Sequence, residues 1–295
     1  MKRLLSIFIL LLAALAGGAI WLTRPQPLSP EALPALTGEA EAGRQVFLAA
    51  GCASCHADRG AEAQERPILS GGRRIESPFG TFLSPNISPD PVHGIGQYDL
   101  AGLTSVLTRG VTPDGRHLYP GMPYTSYVRM ELQDIADLKA YLDTLPASET
   151  PRQSHDLALP WSIRSGIGLW KARYFDSAFV GAAPSRQIER GRYLVEALGH
   201  CAECHTPRDG YGGLDRDRWM AGALEGPGQP AAPNITPAVL DWDKGQIVWY
   251  LESGHSPRNE TASHEMESVV AGIGQLPRED IEAIAAYLKG LAPIQ

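Results

Sequence analysis

Two short cysteine motifs constrain this chain more than any other feature of its sequence. All four cysteines occur in two copies of the pattern Cys-x-x-Cys-His. The copies are CASCH, with Cys52, Cys55 and His56, and CAECH, with Cys201, Cys204 and His205. Two thiols one helical turn apart can each form a thioether with a haem vinyl group, and the histidine that follows can bind the iron. Because this pattern is the attachment signature of c-type haem, we expect two covalently bound haem c groups.

Other uses of paired cysteines fit these motifs less well. A structural zinc site needs cysteine pairs that lie closer in sequence than the 149 residues between Cys52 and Cys201. A thioredoxin-like redox pair needs a surrounding βαβ unit, and neither motif has that sequence context. A disulfide inside either motif would be strained. Haem attachment at both copies therefore remains the leading interpretation.

The sequence around the motifs is itself repeated. SPNISPD at 84–90 is echoed by APNITPA at 232–238, and AYLDTLP at 140–146 is echoed by AYLKGLA at 286–292. Matched landmarks in the same order indicate the duplication of one module. Each module has about 108 residues, a normal size for a single hydrophobic core.

A chain of 295 residues is long enough for about two domains, in agreement with the duplication. The aromatic stretch between the copies is too apolar for a free linker, so we expect it to pack on both modules. We therefore predict a membrane anchor or signal peptide with its spacer at 1–38, a first module at 39–147, a linker at 148–186 and a second module at 187–295.

The apolar pattern predicts helices. The last segment of each module carries apolar residues at helical spacing. They are Ile135, Leu138, Tyr141 and Leu142 in the first module and Ile281, Ile284, Ala285 and Leu288 in the second. No alternating strand pattern extends beyond a few residues, and 31 glycines and 24 prolines indicate long irregular loops. We predict an all-α fold with long loops.

The N-terminus carries a membrane signal. Residues 4–22 contain no charged side chain, and a helix of this length is nearly long enough to span a bilayer core. Lys2 and Arg3 precede the segment. Trp21 lies at the far end, where an interfacial aromatic is expected. The alternative is a signal peptide cleaved near Ala14-Leu15-Ala16. In both cases the modules lie outside the cytoplasm, and we expect an anchor in the bacterial inner membrane with the haem domains in the periplasm.

The charge balance excludes one class of partner. The chain has a net charge of −7, and the rest of it has −10 when Lys2, Arg3 and Arg24 beside the apolar segment are left out. An acidic body is a poor match for a phosphate backbone, so we expect no binding to nucleic acid.

Each haem iron in an electron carrier needs a second axial ligand, and methionine in that position raises the reduction potential. Met122 and Met266 lie 66 and 61 residues after the motif histidine of their own module. They also lie 19 and 21 residues before the tyrosine of the final helix. These matched distances predict Met122 and Met266 as the axial partners of His56 and His205.

Other side chains remain as alternatives for the second axial position. Met130 is the fallback in the first module, although it lies at the start of the final helix, with little loop to reach across a haem. Met220 is only 15 residues after the second motif histidine, too close to cross to the other face. His117 and His264 are the histidine alternatives, and they would give sites of lower potential.

The motifs together resemble a known family. PNISPDPVHGIG at 85–96, RGVTPDGRHLYPGMPYTSY at 109–127 and the two cysteine motifs are similar to the membrane-anchored multihaem cytochrome c subunits of periplasmic alcohol, gluconate and related dehydrogenases. The resemblance implies tandem class I cytochrome c domains and makes Met122 the methionine of the family's MPY segment. Such subunits usually carry three haems, whereas this chain has two motifs.

The resemblance implies a role in electron transfer and no catalysis of its own. The expected donor is the catalytic subunit of a dehydrogenase, and the expected acceptor is quinone, a small cytochrome or an oxidase. Two alternatives remain: a subunit of, or direct donor to, a terminal oxidase, and a dihaem peroxidase. A methionine placed to fill the sixth position in each module disfavours the peroxidase.

Overall fold

Helix α1 (Lys2–Leu22) projects from the folded body and contacts it near its C-terminal end. The structure is a computed structural model that describes residues 2–57, 66–226, 231–263 and 265–295. None of α1 is buried, and its mean hydropathy of 2.4 makes it long and apolar enough to cross a membrane. Among the described residues it is the one helix with that length and composition.

The first module is built from helices that surround its cysteine motif. They are α2 (Ala40–Ala49), α3 (Cys52–His56), α4 (Leu100–Arg109), α5 (Tyr124–Tyr127) and α6 (Leu132–Leu142). The four apolar residues predicted on the final helix are all buried on α6. Helix α6 crosses α2 closely at Gly43, where a β-carbon would lie 1.9 Å from the carbonyl oxygen of Asp137.

The second module repeats this arrangement. Its helices are α8 (Arg186–Arg192), which continues as a π-helical turn (Tyr193–Leu198), α9 (Ala202–His205), α10 (Lys244–Ser253), α11 (Glu265–Ile273) and α12 (Arg278–Lys289). Helix α12 crosses α8 at Gly191, where a β-carbon would lie 1.9 Å from the carbonyl oxygen of Ala283. The repeated glycine therefore sets the close approach of the first and last helices in both modules.

Gly191→Ala is expected to destabilise the second module. The added methyl group overlaps a backbone carbonyl, so the two helices must separate, and we expect the free energy of unfolding to fall by about 3 kcal/mol. Chemical unfolding of the holoprotein measures the change. Gly290→Ala, at the C-terminal end of α12, is the control, because its β-carbon would meet nothing closer than 3.4 Å. Equal stability of the two variants would contradict this account of the crossing.

A small sheet qualifies the all-α prediction, which is confirmed only in part. Strands β1 (Arg74–Ser77), β2 (Gly80–Leu83) and β3 (Asp156–Leu157) form an antiparallel sheet in the order β1-β2-β3. The strands have four, four and two residues. Strands this short carry too few residues to display an alternating pattern, so the sequence does not reveal them.

The linker is fixed to both modules. Its strand β3 pairs with β2 of the first module. Farther along, the backbone amides of Val180 and Gly181 each donate a 2.8 Å hydrogen bond to the buried carboxylate of Glu196 in the second module. Arg129 of the first module donates to the carbonyl of Ala178. Between these contacts the linker forms helix α7 (Gly166–Tyr174).

Candidate haem-binding sites

The motif histidines have the same hydrogen bond in both modules. Nδ1 of His56 lies 2.8 Å from the carbonyl oxygen of Pro85, and Nδ1 of His205 lies 2.8 Å from that of Pro233. A carbonyl oxygen only accepts, so Nδ1 carries the proton and Nε2 keeps the lone pair that a metal needs. Burial lowers the pKa of both imidazoles, which favours this neutral form.

Two asparagines hold the proline carbonyls in place. The side-chain amide of Asn86 donates to the carbonyls of Ser148 and Thr150, and its oxygen accepts from a backbone amide two residues on. Asn234 makes the equivalent bond to the carbonyl of Ile294. The loop that orients each histidine is thereby tied to the chain after the final helix. The Pro-Asn pair is repeated in both modules and is therefore visible in the sequence, but repetition alone does not reveal that the pair orients the motif histidine.

The thiols of both motifs are free of disulfides. Burial raises the pKa of the Cys52 and Cys201 thiols to about 12, which disfavours the thiolate that a zinc site needs. In the described ranges, no group of three or more His, Cys, Asp or Glu side chains is arranged to hold a metal ion. Two unpaired thiols followed by an imidazole with its Nε2 available fit a haem c and not a thiolate zinc site.

Met122 and Met266 occupy equivalent positions. Gly110 and Gly254 end helices α4 and α10 in the left-handed conformation. The carbonyl of each glycine accepts a 2.7 Å hydrogen bond, from the amide of Leu118 in the first module and from that of Ala262 in the second. Each methionine follows that bonded residue by four positions. Both side chains are half-buried, so the two methionines are structural counterparts.

The other two methionines in the modules are core residues. Met220 is fully buried, and its carbonyl accepts from Ile235 as that of Leu69 accepts from Ile87. Leucine therefore fills the equivalent position in the first module. Met130 lies two residues before α6, where the second module has Leu276 two residues before α12, and both are 7% exposed.

One histidine alternative is engaged elsewhere. Nε2 of His117 donates to the carbonyl of Thr23 at 2.9 Å, and its Nδ1 lies 3.2 Å from the ammonium of Lys171. Both ring nitrogens therefore have protein partners near the end of α1. His264 lies outside the described residues.

The methionine segment of the first module packs against the cysteine motif of the second. Thr125, three residues after Met122, donates a 2.8 Å hydrogen bond to Glu203, which lies inside the CAECH motif. Although burial disfavours the charged form, the ion pair with Arg208 and the bond from Thr125 lower the pKa of Glu203 below its usual value. The carboxylate is therefore ionised at neutral pH, directly between the two modules.

The reciprocal contact completes the interface. Arg73 of the first module donates to the carbonyl of Ser54 inside the CASCH motif. The same guanidinium forms a 2.6 Å ion pair with Glu265, the residue before Met266. Each module thus places its methionine segment on the cysteine motif of the other. The sequence did not predict these contacts, which join residues up to 192 positions apart.

Comparison with known proteins agrees with this arrangement. The cytochrome c family model matches residues 40–146 and 188–292. A diheme cytochrome c-type protein of Cereibacter sphaeroides is 49% identical over the full length of both chains. The fructose dehydrogenase cytochrome subunit of Gluconobacter japonicus is 36% identical over 91% of this chain, and the cytochrome c subunit of a quinone alcohol dehydrogenase of Gluconobacter oxydans is 31% identical over 85%.

The lengths of these relatives differ. This chain covers all of the Cereibacter protein, but only 56% and 54% of the two dehydrogenase subunits. The resemblance to cytochrome subunits of dehydrogenases is thus confirmed over the part that is shared. The chain belongs to the cytochrome c family, in which it is a two-module member with two covalently bound haem c groups.

Proposed function

We propose that this chain is a two-haem electron relay held on the outer face of a membrane. In modules at 39–147 and 187–295, two cysteines attach each haem and two side chains ligate its iron. The proposed sets are Cys52, Cys55, His56 and Met122 in the first module and Cys201, Cys204, His205 and Met266 in the second. When bound, each iron cycles between the ferric and ferrous states and carries one electron.

The interface between the modules is the observation that carries the proposal. Both cysteine motifs lie at it, since Thr125 of the first module donates to Glu203 inside CAECH, and Arg73 joins the carbonyl of Ser54 inside CASCH to Glu265 of the second module. Hydrogen bonds from Thr125 to Glu203 and from the hydroxyl of Tyr193 to Asp134 fix the two modules together. Attachment sites that meet at a rigid interface allow an electron to pass from one module to the other within the chain.

The names of the relatives indicate the donor. Three relatives are named as cytochrome subunits of fructose, alcohol and gluconate dehydrogenases, so we propose the catalytic subunit of a dehydrogenase as the electron source. The acceptor would be quinone, a small cytochrome or an oxidase of the respiratory chain. Helix α1 supports anchoring in the inner membrane, with both modules in the periplasm. The chain itself supplies no catalytic group in this scheme.

Co-purification tests the proposed partner. The tagged chain is extracted from membranes of its host in mild detergent, and the proteins bound to it are identified. We expect a dehydrogenase whose substrate reduces both haems. Recovery with a haem-copper oxidase would place the chain on the output side of the respiratory chain, and rapid peroxide turnover by the isolated chain would contradict the relay.

Glu203→Gln is expected to raise the reduction potential of the second haem. The substitution removes a negative charge beside the haem and leaves Arg208 unpaired, so the reduced iron is favoured by on the order of tens of millivolts. Potentiometric titration of the holoprotein measures the shift. Glu282→Gln, at an exposed ion pair with Arg278, is the control and should leave both potentials unchanged. Identical potentials in Glu203→Gln and the unmodified chain would contradict the expected effect of the Glu203 charge on the second haem.

A further inference from the structure

The linker exposes a set of large apolar side chains. We define the linker patch by Leu159, Trp161, Ile163 and Leu169, which are 78%, 36%, 54% and 47% exposed. They lie on α7 and on the segment that leads into it. A folded protein rarely leaves aliphatic and aromatic side chains so close together in water unless something covers them.

The charge around the linker patch differs from that of the rest of the chain. Residues 157–175, between Asp156 and Asp176, contain Arg164, Lys171 and Arg173 and no acidic side chain, although the whole chain has a net charge of −7. Arg173 is exposed, whereas Arg164 and Lys171 are half-buried and donate to backbone carbonyls of the first module. Tryptophan and aliphatic residues beside cations are typical of segments that lie in the headgroup region of a membrane.

The linker patch lies where α1 leaves the membrane. Gly168, in the middle of α7, touches the residue that follows α1, because a β-carbon there would lie 2.3 Å from the carbonyl oxygen of Thr23. The same carbonyl accepts the 2.9 Å hydrogen bond from His117. Arg24, the next residue, stacks on the ring of Trp21. The end of the membrane helix and α7 are therefore in direct contact.

The linker patch is also held in place by contacts with both modules. The ring of Trp161 packs edge-on against that of Phe79, with centroids 4.9 Å apart. Trp170 donates a 2.9 Å hydrogen bond to the carbonyl of Tyr211 in the second module. Because this surface is fixed to both modules, its orientation relative to the membrane would set the orientation of the whole folded body.

We propose that the linker patch lies in the headgroup region of the membrane that α1 crosses, as a second contact that fixes the orientation of both modules. This inference rests on the anchoring described under the proposed function. The occupant is a lipid surface because the patch adjoins the end of the membrane helix and is basic where the remaining body is acidic. Anionic lipids should strengthen the contact through exposed Arg173.

Photo-cross-linking to lipid tests the proposal. A benzophenone amino acid is placed singly at Leu159, Ile163 or Leu169 of the full-length holoprotein, in vesicles of phosphatidylcholine and phosphatidylglycerol. Val92 and Trp249 are the matched control positions, since they are 77% and 56% exposed in the two modules. We expect several-fold more lipid adducts at the three linker positions than at the controls. Adducts at the control level, or adducts to protein in place of lipid, would overturn the proposal.

A membrane wash separates this inference from the anchoring on which it rests. The same vesicles are washed with alkaline carbonate before illumination, and the absorption spectrum of the retained chain confirms that both haems are intact. Release of the chain would refute the anchor, and the linker proposal with it. Retention of the chain without lipid adducts at the linker positions would refute the linker proposal alone.

Discussion

Replacement of both Cys201 and Cys204 by serine is expected to leave a chain with one covalent haem instead of two. Serine cannot form a thioether, and His205 alone would not retain the haem after denaturation. The intact mass of the denatured chain should fall by the mass of one haem, in addition to the small change that the two substitutions themselves cause. Haem staining after electrophoresis should fall to about half, in line with one remaining motif of this type.

The matched variant replaces Cys52 and Cys55 in the first module. It should lose the other haem and keep the second, and the two variants should have different spectra because each retains a different site. Two covalent haems in either variant would contradict the assignment of one haem to each motif. Loss of both haems from one variant would instead show that the two sites mature together.

Met266→Ala is expected to change the second haem without removing it. The thioether of methionine stabilises ferrous iron, and alanine leaves the sixth position open. We expect the potential of this haem to fall by on the order of 0.1 V, well within the range over which axial ligands tune haem iron. Carbon monoxide should then bind to one of the two reduced haems. Met122→Ala should do the same in the first module.

Two conservative variants serve as controls for the methionine assignment. Met220→Leu and Met130→Leu introduce the residue found at the equivalent core position of the other module, Leu69 and Leu276 respectively. Both should keep two six-coordinate haems at unchanged potentials. A lowered potential in Met130→Leu, together with an unchanged Met122→Ala, would move the ligand of the first module to Met130.

The sequence could predict what depends on neighbours along the chain. The final helices follow from apolar residues at helical spacing, and Ile135 and Leu138 are buried on α6 as expected. The cysteine motifs identify the cofactor because the attachment chemistry requires a fixed local spacing. Matched distances along the sequence predict Met122 and Met266 as axial ligands, and the two methionines lie at matching positions after Gly110 and Gly254.

Features that depend on distant parts of the chain could not be predicted in this way. The bond from His56 to the carbonyl of Pro85 joins groups 29 residues apart and involves a backbone atom that every residue possesses. Strand β3 has two residues and pairs with β2 only because the linker returns to the first module. The contact between Thr125 and Glu203 depends on how two complete modules pack, for which a single sequence carries no local signal.

Electron transfer inside one chain is the central claim of this account. Flash reduction of the fully oxidised holoprotein with less than one electron per molecule tests it directly, as the electron redistributes between the haems. The absorbance is followed at wavelengths that separate the two haems, over a series of dilutions. The packing of each methionine segment on the opposite cysteine motif predicts a redistribution rate that is independent of protein concentration. A rate that falls in proportion to dilution would mean that electrons move only between molecules, and would contradict the relay.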